Sequence, residues 1–271
     1  MPIGVFDSGY GGLTILKEIR KRLPQYSYIY LGDNARAPYG TRSFEIVYEF
    51  TLQAVKKLFE QGCHLVILAC NTASAKALRS IQQNDLPKID PSRRVLGVIR
   101  PTIEALSSVS KTNHVGLLAT EGTVASHSYA LELEKFSPQM SITEHACPMW
   151  VPLVENNEAL SPGADFFVKK DLEILMSEDP LIDTIVLGCT HYPILLEKIK
   201  KFTHKNVGIL SQGKLVAESL EDYLFRHPEI ETKCEKRKEC IFLTTENTDK
   251  FNSMASVFLG ENVNSKHITL T

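Results

Sequence analysis

The stretch LVILACNTAS, residues 65–74, is an apolar run that stops at a thiol and opens a polar turn. A short, continuous apolar run before a turn is typical of a strand buried on both faces of a parallel sheet. The stretch TIVLGCTHYP, residues 184–193, has the same form. In open α/β sheets, ligands bind outside the carboxyl ends of the strands. We therefore predict one site served by two thiols, Cys70 and Cys189, with one from each half of the chain.

Short apolar runs and amphipathic helical patterns alternate along most of the sequence. The runs that we predict to be strands are Ile3–Phe6, Tyr28–Leu31, Leu65–Ala69, Val95–Ile99, Val115–Ala119, Ser141–Ala146, Thr184–Leu187 and Val207–Leu210. The segments with helical spacing are Leu13–Leu23, Ser43–Gln61, Ala73–Gln83, Val124–Phe136, Gly163–Ser177 and Ile194–Phe202. This alternation argues for βαβ units and predicts an α/β fold with parallel sheets.

In the two halves of the chain, a similar number of residues separates the end of the first strand from the cysteine. Cys70 follows Asp7, the end of the first strand, by 63 residues, and Cys189 follows Thr120 by 69 residues. We interpret this as two similar α/β lobes, with Arg100-Pro101 as the first crossing point. Residues 1–99 and 211–271 would form the first lobe and residues 100–210 the second, with a mainly helical tail that covers the first lobe. The alternative is one large sheet.

Composition excludes several classes of protein. The 271 residues are 43% hydrophobic and 23% charged, with a net charge of −2. That balance is typical of a soluble globular protein and gives no reason to expect a nucleic-acid or membrane partner. No apolar segment approaches the ~18 residues of a membrane span, and the start of the chain lacks the features of a signal peptide. We expect a cytoplasmic protein.

The cysteine pattern does not favour a metal site. The six cysteines, at 63, 70, 147, 189, 234 and 240, form no CxxC pair, which argues against structural zinc. In a reducing compartment they would be free thiols.

Two further loops follow predicted strands. DSGYGGL, residues 7–13, precedes a helix and has the glycines of an anion-binding turn, but it matches neither common nucleotide-binding motif. GDNARAPYG, residues 32–40, has the chemistry of a turn. Either loop alone is a weak signal, as is the carboxylate Glu155 in a predicted turn.

Two opposed thiols allow three kinds of chemistry. A disulfide conflicts with a reducing compartment, and a metal would have only Cys70, Cys189, Asp7 and His191 as convenient ligands. The third possibility is acid–base work on the two faces of a substrate, with a thiolate as base and a thiol as acid. His191 lies two residues from Cys189 and can assist that proton transfer. A carbon acid held between the sulfurs would then be inverted without a cofactor.

Five segments together resemble glutamate racemases, the cofactor-independent family that makes D-glutamate for peptidoglycan. They are GVFDSGYGGL at 4–13, GDNARAPYG at 32–40, ACNTAS at 69–74, LATEGTV at 118–124 and GCTHYP at 188–193. The resemblance implies two flavodoxin-like lobes with the active site in the cleft between them. It also implies that glutamate is the substrate, that no cofactor or metal is needed, and that the enzyme is a homodimer.

The resemblance also assigns roles to residues. The two acid–base thiols fall on Cys70 and Cys189; Asp7 would assist the first thiol, and His191 and Glu155 the second. The implied substrate contacts are Asp7, Ser8, Tyr39, Gly40, Asn71, Thr72, Thr190 and His191.

The chain departs from the family pattern at two places, Arg100 before Pro101 and Ser211-Gln212-Gly213 in place of a turn that usually contains aspartate. Both are expected to lie away from the thiols and to affect lobe contacts or regulation. Two alternative functions stay open. One is an aspartate or other amino-acid racemase of the same superfamily, and the other is a non-catalytic amino-acid-binding protein.

Overall fold

Two separate parallel sheets form the framework of the protein. A computed structural model describes all 271 residues, Met1–Thr271. The strands are β1 Ile3–Asp7, β2 Tyr28–Gly32, β3 Leu65–Leu68, β4 Arg94–Gly97, β5 His114–Ala119, β6 Ser141–Ala146, β7 Thr184–Gly188, β8 Gly208–Leu210, β9 Cys240–Thr244 and β10 Ser265–His267. The alternative of a single large sheet is therefore wrong.

The two sheets repeat one strand order. The first sheet runs β10-β9-β2-β1-β3-β4 and the second runs β6-β5-β7-β8. When the strands are numbered within each half of the chain, both sheets contain the order second-first-third-fourth, and every pair in it is parallel. This is the strand order at the start of a flavodoxin-like sheet. The predicted fold class, two similar flavodoxin-like lobes, is confirmed.

Helices lie between the strands on the faces of both sheets. They are α1 Leu13–Arg22, α2 Phe44–Glu60, α3 Asn71–Lys76, α4 Leu78–Ser80, α5 Leu86–Ile89, α6 Ile99–Val109, α7 Glu121–Ala125, α8 Ser128–Phe136, α9 Trp150–Glu155, α10 Pro162–Glu178, α11 Leu196–Phe202, α12 Gln212–Arg226, α13 Pro228–Glu231 and α14 Thr248–Leu259. No helix has both the length and the apolar content needed to cross a membrane.

The predicted strand Val95–Ile99 is wrong at its end. The strand stops at Gly97, and Ile99 already begins α6, which the sequence reading missed. Pro101 is the third residue of that helix, where the missing N–H costs nothing because the first turn has no intrahelical partner. Ile103 of α6 is fully buried against the second sheet, so the chain crosses between the lobes near Val98.

The tail of the chain returns to the first sheet. β9 pairs with β2 in parallel and β10 pairs with β9, while α12 packs along α1. Residues of β1, β3 and β7 are buried throughout, because helices cover both faces of the sheets. Each buried aliphatic side chain in these strands contributes about 1.5–3 kcal/mol to folding.

Candidate active site

The central strands of both sheets end at one place. Asp7 is the last residue of β1, and Cys70 lies just beyond β3, which pairs with β1. In the second sheet, Thr120 follows β5 and Cys189 follows β7, and these two strands also pair. The position between the first and third strands of such a fold is the point where ligands usually bind. The two lobes turn these carboxyl ends toward each other.

Both sulfur atoms line the same cavity between the lobes. Its volume is about 80 Å³. Among the residues that line it are nine of the eleven predicted site residues: Ser8, Tyr39, Gly40, Asn71, Thr72, Cys70, Cys189, Thr190 and His191. Glu155 lines it too. Two sulfurs on unconnected surfaces would have contradicted the prediction of one shared site. In the structure, Cys70 and Cys189 line one cavity.

Asp7 is the predicted site residue that does not line the cavity. It is fully buried beneath it, where its carboxylate accepts hydrogen bonds from the Gly9 N–H at 2.9 Å and the Thr190 hydroxyl at 3.3 Å. Burial raises the pKa of Asp7, and the positive charge of His191 opposes that shift. Asp7 thus joins the glycine-rich loop of the first lobe to the loop after β7.

Cys70 sits in a setting that keeps it protonated. Its sulfur lies 3.4 Å from the Ser8 hydroxyl and 3.5 Å from the Ala73 N–H, which it caps at the start of α3. Burial, followed by the charge of Asp7, raises the pKa of Cys70 to about 12, although both hydrogen bonds oppose the shift. Cys70 is therefore suited to donate a proton.

Cys189 belongs to a chain of three polar groups. Its sulfur lies 3.9 Å from Nδ1 of His191, and Nε2 of His191 lies 3.0 Å from a Glu155 carboxylate oxygen. Burial pushes the pKa of His191 down, but the hydrogen bonds and charges of Cys189 and Glu155 outweigh burial and raise it to about 10. A sulfur, an imidazole and an orienting carboxylate in this order are the arrangement of an activated thiol nucleophile or base.

Tyr39 and Gly40 form the wall contributed by the second loop. The Tyr39 hydroxyl donates to the Asp33 carboxylate, which Arg36 also binds at 2.7 Å, so the ring is held firmly. The Gly40 carbonyl accepts from the N–H of Gly122 at 2.7 Å. A Cβ at Gly40 would come within 2.9 Å of Thr120, which explains the glycine at this contact between the lobes.

Asn71 is fixed by residues far away in the sequence. Its Nδ2 donates to Oε1 of Gln212 at 2.7 Å, and its Oδ1 accepts from the Tyr129 hydroxyl at 2.7 Å. Gln212 in turn donates to Tyr129 at 2.7 Å and to Thr102 at 2.8 Å. All four side chains are buried. Gln212, part of the second departure from the family pattern, therefore reaches a cavity-lining residue, whereas Arg100 pairs with Glu104 and lies over the Phe136 ring at the surface.

The glycine-rich loop serves the contact between lobes. A Cβ at Gly11 would lie 2.2 Å from the Thr190 hydroxyl and 2.5 Å from Nδ1 of His191. Thr14, one turn on, donates to the Thr190 carbonyl at 3.1 Å. The second lobe therefore packs directly against the glycines of this loop.

Some lining residues were missed by the sequence reading. The additional ones are Ala37, Pro38, Thr41, Thr120, Glu121, Cys147, Pro148, Val151 and Pro152. Thr120 offered a signal, because it ends the strand that corresponds to β1. Its hydroxyl lies 3.0 Å from that of Thr72, another bond across the cleft.

Comparisons with known proteins agree over nearly the whole chain. A family model described as Asp/Glu/Hydantoin racemase matches residues 13–219. The glutamate racemase of Roseobacter denitrificans is 40% identical over 269 residues, which cover 96% of this chain and 97% of the relative. A glutamate racemase isoform from Bacillus anthracis superposes with a TM-score of 0.90 at 36% identity, covering 99% of this chain and 97% of its own. The glutamate racemase of Francisella tularensis, solved in complex with D-glutamate, has a TM-score of 0.85 at 33% identity and covers 100% of this chain and 97% of its own.

Proposed function

Because this chain belongs to the Asp/Glu/hydantoin racemase family and is a glutamate racemase, we propose that Cys70 and Cys189 are the two groups that exchange the α-proton of glutamate. The enzyme interconverts L- and D-glutamate. The observation that carries the proposal is that the two sulfurs, from opposite lobes, line one small cavity. Its product would be D-glutamate for peptidoglycan synthesis.

In the proposed step, one sulfur removes a proton as the other delivers one. A thiolate at Cys189 takes the α-proton from one face of the substrate, forming an S–H bond as the C–H bond breaks. The thiol of Cys70 then gives its proton to the opposite face and becomes a thiolate. The positive imidazolium of His191, held by Glu155, would stabilise a negative charge on the sulfur of Cys189. The reverse reaction uses the same groups with exchanged roles.

The site must also stabilise the negative charge that develops at the α-carbon and carboxylate. Ser8, Asn71, Thr72 and Thr190, whose side chains carry hydroxyl or amide groups, line the cavity from both lobes. Such preorganised donors act strongly in a site from which water is excluded. We propose that they bind the α-carboxylate and the amino group, and that Tyr39 and Gly40 form part of the same binding surface.

The first test is circular dichroism of L-glutamate with dialysed enzyme and no added cofactor. We expect the signal to decay to zero, and L-aspartate to be left unchanged under the same conditions. Faster racemisation of aspartate would favour an aspartate racemase. A bound but unchanged L-glutamate would favour a non-catalytic binding protein.

The second test separates the two thiols. We expect Cys70→Ser and Cys189→Ser each to lower kcat by at least about a hundredfold, since positioned acid–base groups contribute that much. In deuterated water, each variant should exchange the α-proton of one enantiomer far faster than that of the other. The matched control is Cys63→Ser, a buried thiol away from the cavity, which should retain native activity. Native exchange of both enantiomers in Cys70→Ser would refute the assignment.

Three further features belong to the proposal. We propose that the lobes comprise residues 1–99 with 211–271, and 100–210, which limited proteolysis near Val98 and Ser211 would test. A homodimer, common among similar enzymes, should have twice the monomer mass in light scattering. A cytoplasmic location fits six cysteines that are all unpaired and is tested by cell fractionation.

A further inference from the structure

Three side chains of metal-binding types meet at the edge of the second sheet; one of them also lines the cavity, but the proposed proton transfer uses none of the three. They are His145, Cys147 and Asp171, whose ligand atoms all lie within 4.8 Å of one another. His145 is in β6, the edge strand, and Cys147 directly follows that strand. Asp171 is in α10, the helix that packs on β6. We propose that these residues form a binding site for a soft divalent cation such as Zn²⁺.

The backbone explains why the three groups converge. The Cys147 N–H bonds to the Ala119 carbonyl at 2.8 Å, which continues the ladder of β6 past its last residue. Side chains two residues apart on an extended strand point to the same face, so His145 and Cys147 both face α10. Asp171 is the helical residue that meets them there, because Nε2 of His145 lies 3.3 Å from its Oδ1.

The donor set suits zinc better than a harder cation. An imidazole nitrogen, a thiolate and one carboxylate oxygen are the ligands that Zn²⁺ prefers, with water as the fourth. Cys147 and Asp171 are buried, at 1% and 5% exposure, whereas the His145 side chain is 16% exposed and leaves a path for the ion and its water. Side-chain rotations that move the ligand atoms by about 1 Å would bring the three atoms to the spacing of a tetrahedral site.

Trp150 is not one of the proposed ligands, but it orients one of them. Its Nε1 donates to Oδ2 of Asp171 at 2.7 Å, so that Oδ1, on the side of His145, is the oxygen that would face the metal. A hydrogen bond to the second oxygen of a ligating carboxylate is the usual way in which proteins orient such a ligand. Trp150 is the only tryptophan in the chain, so a change of fluorescence on metal binding comes from this one ring, which also packs against Tyr192.

The experiment uses the full chain with Cys70→Ser and Cys189→Ser, so that the catalytic thiols cannot bind the probe. Co²⁺ is titrated into this protein under a phosphine reductant. We expect one equivalent to give a sulfur-to-cobalt charge-transfer band and tetrahedral visible bands, and Zn²⁺ to displace it while changing the Trp150 fluorescence. Cys147→Ser should abolish the charge-transfer band.

Removal of one ligand should weaken the binding of Co²⁺ by a measurable factor. His145→Gln and Asp171→Asn should each weaken Co²⁺ binding by at least about tenfold, as changes around metal sites commonly do. His145→Gln tests the site even if the buried Asp171→Asn fails to fold. The matched control is His114→Gln, which removes a similar histidine–aspartate pair, His114–Asp179, that has no cysteine; it should leave binding unchanged. No saturable binding, or a band that survives Cys147→Ser, would overturn the proposal and leave a hydrogen-bonded pair only.

Discussion

At the scale of single residues, the two sulfurs have different partners. Cys70 has a hydroxyl and a backbone N–H beside it, with the buried carboxylate of Asp7 beneath. Cys189 has an imidazole and, through it, the carboxylate of Glu155. The lobes repeat the backbone and the position of the thiol, but they do not repeat the groups that control its proton.

His191 should make both activity and stability depend on pH. Its pKa, about 10 in the folded protein, lies above its ordinary value of 6.5. A raised pKa means that the folded state holds the proton more tightly, so the stabilisation is fully present below pH 6.5 and is lost as pH rises toward 10. We expect the difference in unfolding free energy between the native protein and His191→Gln to shrink across that window in urea titrations.

The same variant should lower kcat more than it changes KM for glutamate, because the imidazolium acts on the sulfur in the reaction. A difference in stability that stayed constant from pH 6 to pH 10 would contradict the role of His191 as a cation. His114→Gln, at the far end of the second sheet, is the matched control and should leave kcat unchanged.

At the scale of elements, the first turn of α12 places a residue directly behind the site. Gln212 bonds to Asn71, Tyr129 and Thr102, which come from α3, α8 and α6. One side chain thus ties four helices of both lobes together directly behind the cavity. A polar group shared in this way is costly to remove, because each partner is left buried without a bond.

Gln212→Leu should reveal that cost. We expect a loss of about 1–3 kcal/mol in unfolding free energy, since Asn71 loses its acceptor in a buried place. KM for glutamate should rise as well, because Asn71 is then held by Tyr129 alone. Lys214→Gln, on the exposed face of the same helix, is the control and should change neither quantity. An unchanged KM would mean that Asn71 does not need Gln212 for its orientation.

A helix cap away from the site offers a contrasting prediction. The Ser161 hydroxyl accepts from the Ala164 N–H at 3.2 Å and caps α10, with Pro162 in the first helical position. Ser161→Ala should lower the unfolding free energy by about 1 kcal/mol. Thermal unfolding would show this loss, while kcat and KM stay native. A fall in kcat would indicate that α10 influences the cavity.

Much of the framework followed from the sequence, and the exceptions have physical causes. The buried strands before Cys70 and Cys189 were recognisable because both faces are covered and the apolar runs are continuous. The end of β4 was misjudged because Val98 and Ile99 are apolar in either a strand or a helix, so periodicity did not separate them. The role of Gln212 could not be predicted, because its partner Asn71 lies 141 residues away and only the fold joins them.

At the scale of the whole molecule, the lobes touch through glycines and short polar side chains around the cavity. Gly11 meets Thr190 and His191, and Gly40 meets Thr120. The Thr72 and Thr120 hydroxyls bond across the cleft at 3.0 Å. The contact is close because these positions have little or no side chain to keep the lobes apart.

Gly11→Ala should therefore disturb the catalytic geometry. The added Cβ would lie 2.2 Å from the Thr190 hydroxyl, so either His191 moves or the lobes separate. We expect kcat/KM to fall by at least about a hundredfold, as displacement of a catalytic group by about 1 Å commonly does. The control is Gly163→Ala in α10, where the nearest atom lies 3.5 Å away; there activity should persist and stability should rise by about 0.4–1 kcal/mol. Native kinetics in Gly11→Ala would show that this contact is not needed.

The two sulfurs have different neighbouring groups, and this difference has a consequence for the rate constants. Mirror-image amino acids have the same free energy in water, so their equilibrium ratio is fixed at unity whatever the protein does. The forward and backward specificity constants must then be identical. An imidazole on one side and a hydroxyl on the other are free to make turnover faster in one direction, but only if the Michaelis constant in that direction grows by the same factor.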